Sequence, residues 1–166
     1  KKPRLRNAFI TSTIVITLFG GLAVAMADYR LAGTYRTVAG EMEARFAGSQ
    51  AGKWALGEFG FRYYMEKAGF KYLGIKADAK PGDIVVVSQI SSNGVVAPLP
   101  EGFYRTLSIE HVQDGFPVRS MNSWAGAGFY GSLMGALPFA FSTAQLDEIS
   151  ENELFWRAGT SSVNDG

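Results

Sequence analysis

No cysteine occurs among the 166 residues, and histidine occurs once. The first absence removes disulfides, thiolate nucleophiles, Cys-ligated zinc and iron–sulfur clusters, and leaves the redox compartment open. The second removes metal sites built on two or three imidazoles. Charge of one sign is also lacking: sixteen Lys+Arg against fifteen Asp+Glu leave a net charge of +1. Such a balance carries no electrostatic footprint for nucleic acid. Repeats and low-complexity blocks are missing as well, and the length suits one domain with an appendage.

Charge is missing most completely near the N-terminus. Ala8 to Ala27, "AFITSTIVITLFGGLAVAMA", is twenty residues without one ionisable side chain. As a helix it is long enough for a bilayer core of roughly 30 Å. Lys1, Lys2, Arg4 and Arg6 precede it, and Asp28 and Arg30 follow. The positive-inside bias then expects a cytoplasmic N-terminus and an exported remainder, periplasmic if the membrane is a bacterial inner membrane. A secretory signal peptide is the competing reading, with Ala25-Met26-Ala27 as a small-x-small cleavage site. Its apolar core, however, runs only about 7–15 residues, so a retained anchor is expected. Gly20 and Gly21 give the span a small-residue face that another helix can approach, although glycine is common in membrane helices anyway.

Beyond Asp28, Tyr35, Val38, Met42 and Phe46 fall on one helical stripe, the mark of a juxtamembrane amphipathic helix over 28–47. "KWALG" reads as a buried strand. A helix over "EFGFRYYMEKAG" follows, with Phe61, Tyr64, Met65 and Ala68 inward and Gly69 as its stop. "KYLGI" is a short strand, Lys80-Pro81-Gly82-Asp83 a turn, and "IVVVS" a strand buried on both faces. A loop runs from Gln89 to Gly102 with Pro98 and Pro100. "FYRTLSIEHV" alternates as a strand, Asp114-Gly115 predicts a hairpin, "FPVRSM" its return strand, and "ELFWRA" a last strand. The expectation is therefore a small mixed α/β domain over 48–158, preceded by one transmembrane helix and followed by a tail over 159–166.

Gly126-Ala127-Gly128-Phe129-Tyr130-Gly131 spells the G-x-G-x-x-G of dinucleotide loops. That fingerprint works only when a helix opens at its last glycine, so that pyrophosphate sits on the helix N-terminus. Here Pro138 follows within seven residues of Gly131, so the glycines are assigned to tight turns and close backbone packing. No cofactor is expected. His111 stands without a matching nucleophile and acid, and Glu110 lies on the opposite strand face. Glu58, Glu66, Asp78, Asp83 and Glu101 are scattered, with no general acid–base pair in their spacing. Trp54, Phe59, Phe61, Tyr63 and Tyr64 offer rings to a sugar or, more commonly, to a core. No catalytic constellation is expected.

Three elements in order are more specific: G-x-x-G-F-x-Y-Y in Gly57–Tyr64, K-P-G-D in Lys80–Asp83, and A-G-F-Y…G…L-P-F in Ala127–Phe139. With them the chain, over residues 8–157, resembles the last membrane span and C-terminal extracytoplasmic domain of bacterial membrane glycosyltransferases. The type is that of the dolichyl-phosphate-mannose protein mannosyltransferases and aminoarabinose transferases. Where such relatives often carry Gly-His-x-Gly, this chain has Gly57-Glu58-Phe59-Gly60, so that histidine's role does not transfer. The family's catalytic acid and donor site belong to a many-span portion, so the resemblance carries no catalytic residue here.

Read as a complete protein, the chain is a single-span, non-catalytic accessory subunit of a larger membrane complex, respiratory or photosynthetic for example. Read as a piece, which the Lys1 start also fits, it is the tail of a transferase. A sugar-binding module released by signal peptidase is a third class. For the accessory reading the expected partners are integral-membrane subunits and lipid. The expected contacts are Gly20 and Gly21 on the helix, with Trp124, Phe129, Tyr130 and Phe139 in a stretch uncharged from Ser123 to Gln145. A core position for that stretch is the alternative.

Overall fold

The computed structural model describes residues 2–74, 77–92 and 102–155. Pro98, Pro100, Glu101, the 159–166 tail and the end of the "ELFWRA" strand lie outside the described residues.

One helix, α1, runs unbroken from Lys2 to Arg45. The expected span over 8–27 and juxtamembrane helix over 28–47 are thus a single rod, with no change of structure at Asp28. Between Pro3 and Pro81 the sequence has no proline, and Gly20, Gly21, Gly33 and Gly40 lower helix propensity without breaking it. The second half of α1 is a core helix, since Tyr35, Val38, Ala39 and Met42 are buried and Phe46 packs beside them.

The sheet has the order β2-β1-β3-β9-β4. Strands β1 (Lys53–Leu56), β2 (Lys71–Tyr72) and β3 (Ile84–Ser88) are parallel. Helix α2 (Phe59–Lys67) makes the crossover from β1 to β2, and Gly69 ends it with φ +82°. Strands β9 (Asp147–Leu154) and β4 (Tyr104–Val112) add antiparallel pairs. Ala55, Ile84, Val86 and Ile149 point at α1 and α2 to form the main core with Phe61 and Met65. Trp54, Leu56, Val85 and Leu154 form a second core on the opposite face, under Leu73, Ala77 and Ala79. That two-sided burial is why β3 is an uninterrupted apolar run.

The K-P-G-D turn is a joint between strands. Asp83 accepts hydrogen bonds from Gly52 N, the Trp54 indole and Lys80 N at 2.8, 2.8 and 2.9 Å. Burial pushes its carboxyl up, but these donors outweigh it and hold the group below its usual range.

The expected Asp114-Gly115 hairpin does not form. Strand β4 pairs with β9, and the chain between them, residues 113–146, leaves the sheet as an insert. Its ladders are two residues long: β5 (Val118–Arg119) with β8 (Ala140–Phe141), and β6 (Met121–Asn122) with β7 (Ala127–Gly128). What replaces the hairpin is an arginine brace. Arg119, 2% exposed, donates to the carbonyls of Asp114, Phe116 and Ala144, which fixes 113–119 as a bend. Strand β9 also begins earlier than the sequence reading, because Asp147, Glu151 and Asn152 are buried polar residues that hide its period.

Candidate functional site

The insert lies against one face of α1. Thr17, Gly20, Gly21, Val24, Ala25 and Asp28 line a groove of about 430 Å3 with Phe129, Tyr130, Pro138 and Phe139 of the insert. Leu31, Ala32 and Tyr35 continue the same helix face into a second groove of about 410 Å3. Its other walls are Phe59 and Gly60 of α2, Ile90 and Ser91 of α3 (Gln89–Ser92), and Met121, Tyr130 and Met134 of the insert. The two grooves share Asp28 and Tyr130. Asp28 is the strap between helix and insert: its two carboxylate oxygens accept from the Ser120 and Tyr130 hydroxyls. The Tyr130 phenol is held above its usual range by that hydrogen bond first and by burial second. Further along, Arg30 pairs with Asp114 at 2.8 Å and stacks over Phe116.

Five of the six expected contact residues, Gly20, Gly21, Phe129, Tyr130 and Phe139, therefore meet in one groove. Trp124 stands apart, exposed at the β6–β7 turn. Phe129, Tyr130, Leu133, Leu137, Phe139 and Phe141 are all exposed, so the uncharged stretch is not buried as a core segment. Phe129 stacks edge-on with Tyr130, and Phe139 with Phe141. Two of the three G-x-G-x-x-G glycines serve the turn and close packing expected of them, Gly126 with φ +68° and Gly128 with backbone against its Cα, whereas Gly131 has open space around it. Leu137 bridges Ala127, Gly128 N donates to Leu137 O, and a Cβ on Gly135 would lie 2.0 Å from the Gly126 carbonyl. No helix opens at Gly131.

Phe59, read from the sequence only as one of an aromatic cluster, has a backbone conformation and a groove position that the sequence did not indicate. Its φ is +54°, in the left-handed region that a bulky side chain rarely adopts, and the residue is 64% exposed on the groove wall. The cause is local. Gly57 has φ +153°, and a Cβ there would sit 2.6 Å from Ser91 Oγ. Ser91 in turn clamps Glu58 through both its backbone N and O. The chain must turn from β1 into α2 within two residues of that clamp, and Phe59 takes the strain. The Glu58 side chain faces away, accepting from Tyr72 and pairing with Arg62.

The expected aromatic cluster is divided: Trp54 and Phe61 are buried in different cores, while Phe59 and Tyr63 are exposed. His111 is exposed, with Nδ1 3.4 Å from Glu148 across the β4–β9 pair. Glu58 and Glu66 flank Arg62 on α2. Among the described residues no three His, Cys, Asp or Glu side chains gather for a metal.

One buried titratable group lies behind the second groove. Asp147 is fully buried and accepts from Ser88 Oγ, Ile90 N and Glu148 N. Burial raises its carboxyl above the ordinary range despite these donors, and it helps to push the buried Tyr35 phenol up as well. The folded chain therefore holds this proton to higher pH than the unfolded chain. The stabilisation is full below the ordinary aspartate pKa of about 3.9 and is lost as pH rises through the folded value. Replacing Asp147 by Asn should remove that negative slope in denaturant titrations run from pH 4 upward. A slope as steep as in the wild type would refute the assignment.

The geometry describes apolar walls, one bridged carboxylate and no poised nucleophile in either groove. Comparison with protein-family models, curated proteins and solved structures finds no match. The fold is mixed α/β, and among the described residues one helix, at the N-terminus, is apolar and long enough to cross a membrane.

Proposed function

We propose that this chain is a membrane-anchored accessory module, and that its folded domain docks on a larger integral-membrane assembly at the outer membrane face. The observation that carries the reading is the overlap of insert and span. Thr17 precedes Asp28 by eleven residues, about 16 Å of helix at 1.5 Å per residue. With Ala8–Ala27 in the bilayer, Phe129 and Phe139 lie at the depth of the outer leaflet. Exposed aromatic and aliphatic groups there meet lipid or another protein's helices at no desolvation cost, whereas in water they would form an adhesive patch. Lys2, Arg4 and Arg6 keep the other end cytoplasmic.

The test is isolation of the native protein from membranes in mild detergent. A species near 18 kDa that co-purifies with other subunits supports the module. A soluble species starting at Asp28 refutes the anchor. The double substitution Phe129→Ser, Phe139→Ser should leave thermal unfolding nearly unchanged, since both rings are exposed, while releasing the partner. Retention of the partner by a folded variant would remove the docking role from the insert.

A second reading has its own support in the three resembling elements, which are the fold's joints: the Gly57 turn, the Asp83 tie and the Gly126–Gly135 packing. By that reading the chain is the outer-face tail domain of a lipid-phosphate-sugar-dependent glycosyltransferase. A native band several times larger than 18 kDa would favour it.

A further inference from the structure

Gly20, Gly21, Val24, Asp28, Leu31 and Tyr35 recur at three- and four-residue steps, so the two grooves follow one face of α1 and adjoin at Asp28 and Tyr130. The lower groove opens beside the uncharged span. The upper one is the 410 Å3 space lined by Leu31, Ile90, Met121 and Met134, with Phe59 on the rim. That volume is within the roughly 300–1,000 Å3 of small-molecule pockets. Polar groups are few. Asp28 and Tyr130 satisfy each other at the junction, and Ser91 is engaged by Glu58. A site of this kind offers dispersion and water exclusion but no spare hydrogen-bond array for a sugar or nucleotide. Two methionines supply the adaptable surface that a flexible chain needs. Phe59 is held in a strained backbone conformation with its ring facing the space, and strain of this sort is retained where a site uses it.

We propose that the upper groove holds the hydrocarbon chain of an outer-leaflet lipid, entering from the bilayer along the Gly20–Gly21 face of α1. The inference rests on the anchor reading above. A chain leaving the leaflet beside Gly20 and Gly21 passes Phe139, skirts the Asp28–Tyr130 hydrogen bond at the junction and ends between Met121, Met134 and Phe59, with apolar side chains on either side of that one polar tie. The ligand is defined by its tail, and its headgroup stays at the membrane surface.

The full chain, reconstituted alone in phosphatidylethanolamine–phosphatidylglycerol vesicles, is exposed to a phosphatidylcholine bearing a diazirine midway along one acyl chain. After irradiation, adducts are mapped by mass spectrometry. Labelling is expected at Phe9, Ile14 and Phe19 of the span, and also at Leu31, Met121 or Met134 of the groove. Ala32→Trp fills the groove from the helix side. It should lower groove labelling at least fivefold and leave the span unchanged. Gly60→Leu fills it from α2, where an added Cβ meets only Tyr35 at an ordinary 3.5 Å, and should act the same way. Circular dichroism confirms that each variant is folded. A labelled span with an unlabelled groove would overturn the lipid proposal alone and leave the anchor reading standing. Groove labelling that both folded fillings leave intact would overturn it too. An unlabelled span would remove the anchor reading, and the lipid site with it.

Discussion

Alanine at Gly135 or Gly128 should unfold the insert, while alanine at Gly131 should be silent. The difference comes from what each new methyl would meet. At Gly135 it would lie 2.0 Å from both the carbonyl carbon and oxygen of Gly126; at Gly128, 2.3 Å from the oxygen of Gly131 and 2.6 Å from that of Gly135. These neighbours are backbone, so relief requires the turns themselves to move. The cost should reach about 3 kcal/mol, the upper end for overpacking. Gly126 is an intermediate case: its surroundings are open, but its φ of +68° makes alanine there about 1 kcal/mol unfavourable. Around Gly131 nothing lies within 4 Å, so alanine should fall within about 0.5 kcal/mol of the wild type. A phosphate loop would order these positions differently, because its last glycine packs a helix against a strand. Thermal unfolding in detergent, with limited proteolysis across 120–142, gives the series. Equal sensitivity of Gly128 and Gly131 would contradict the packing role.

The same positions show what a sequence can and cannot convey. Glycine at Gly128 signalled a close approach but not to what, because its neighbours Gly131 and Gly135 are placed by the bridge of Ala127 to Leu137. Elements set by local chemistry were legible. The Tyr35–Phe46 stripe, the β-branched β3 and the Gly69 stop all stand where periodicity and capping put them. The break at Asp28 was not. A change from apolar to charged residues marks a change of surroundings, and α1 passes through it unaltered. Asp114-Gly115 failed as a hairpin signal because a turn needs two strands of matching register. The partner of β4 is β9, 34 residues further on, whose Asp147, Glu151 and Asn152 are buried by hydrogen bonds and an ion pair rather than by hydrophobicity. Of the candidate site, composition identified the apolar stretch. Phe129 and Phe139 line one groove with Gly20 and Gly21 across more than a hundred residues, which no local pattern encodes. The strained conformation of Phe59 was hidden for another reason: it follows from the clamp of Ser91, 32 positions away, on Glu58.

Arg119 should prove the most sensitive position of the insert outside its glycines. A buried guanidinium with no carboxylate bonded to it is costly unless its donors are used, and here they are. Nε and Nη2 share the Ala144 carbonyl at 3.0 and 2.8 Å, Nη2 also reaches Asp114 O at 3.1 Å, and Nη1 takes Phe116 O. Burial lowers its pKa, although the Asp114 charge opposes that shift. Arg119→Met keeps the apolar stem but leaves the part-buried carbonyls of Asp114, Phe116 and Ala144 without their donors. The loss should be about 1–3 kcal/mol, as when a buried hydrogen-bond partner is removed. Arg119→Lys restores a charge without the planar fork and should recover only part of it. The consequence reaches the membrane side, because Arg119 is bonded in sequence to Ser120, whose hydroxyl holds Asp28. A chain without the brace should retain its sheet, since β4–β9 and β3–β9 are independent of it. It should lose the strap between α1 and the insert. Hydrogen exchange resolves the two: faster exchange across 116–142 with unchanged protection in β3 and β9 is the expected result. An Arg119→Met variant that keeps the insert protected would show that packing on α1, rather than this brace, holds the insert in place.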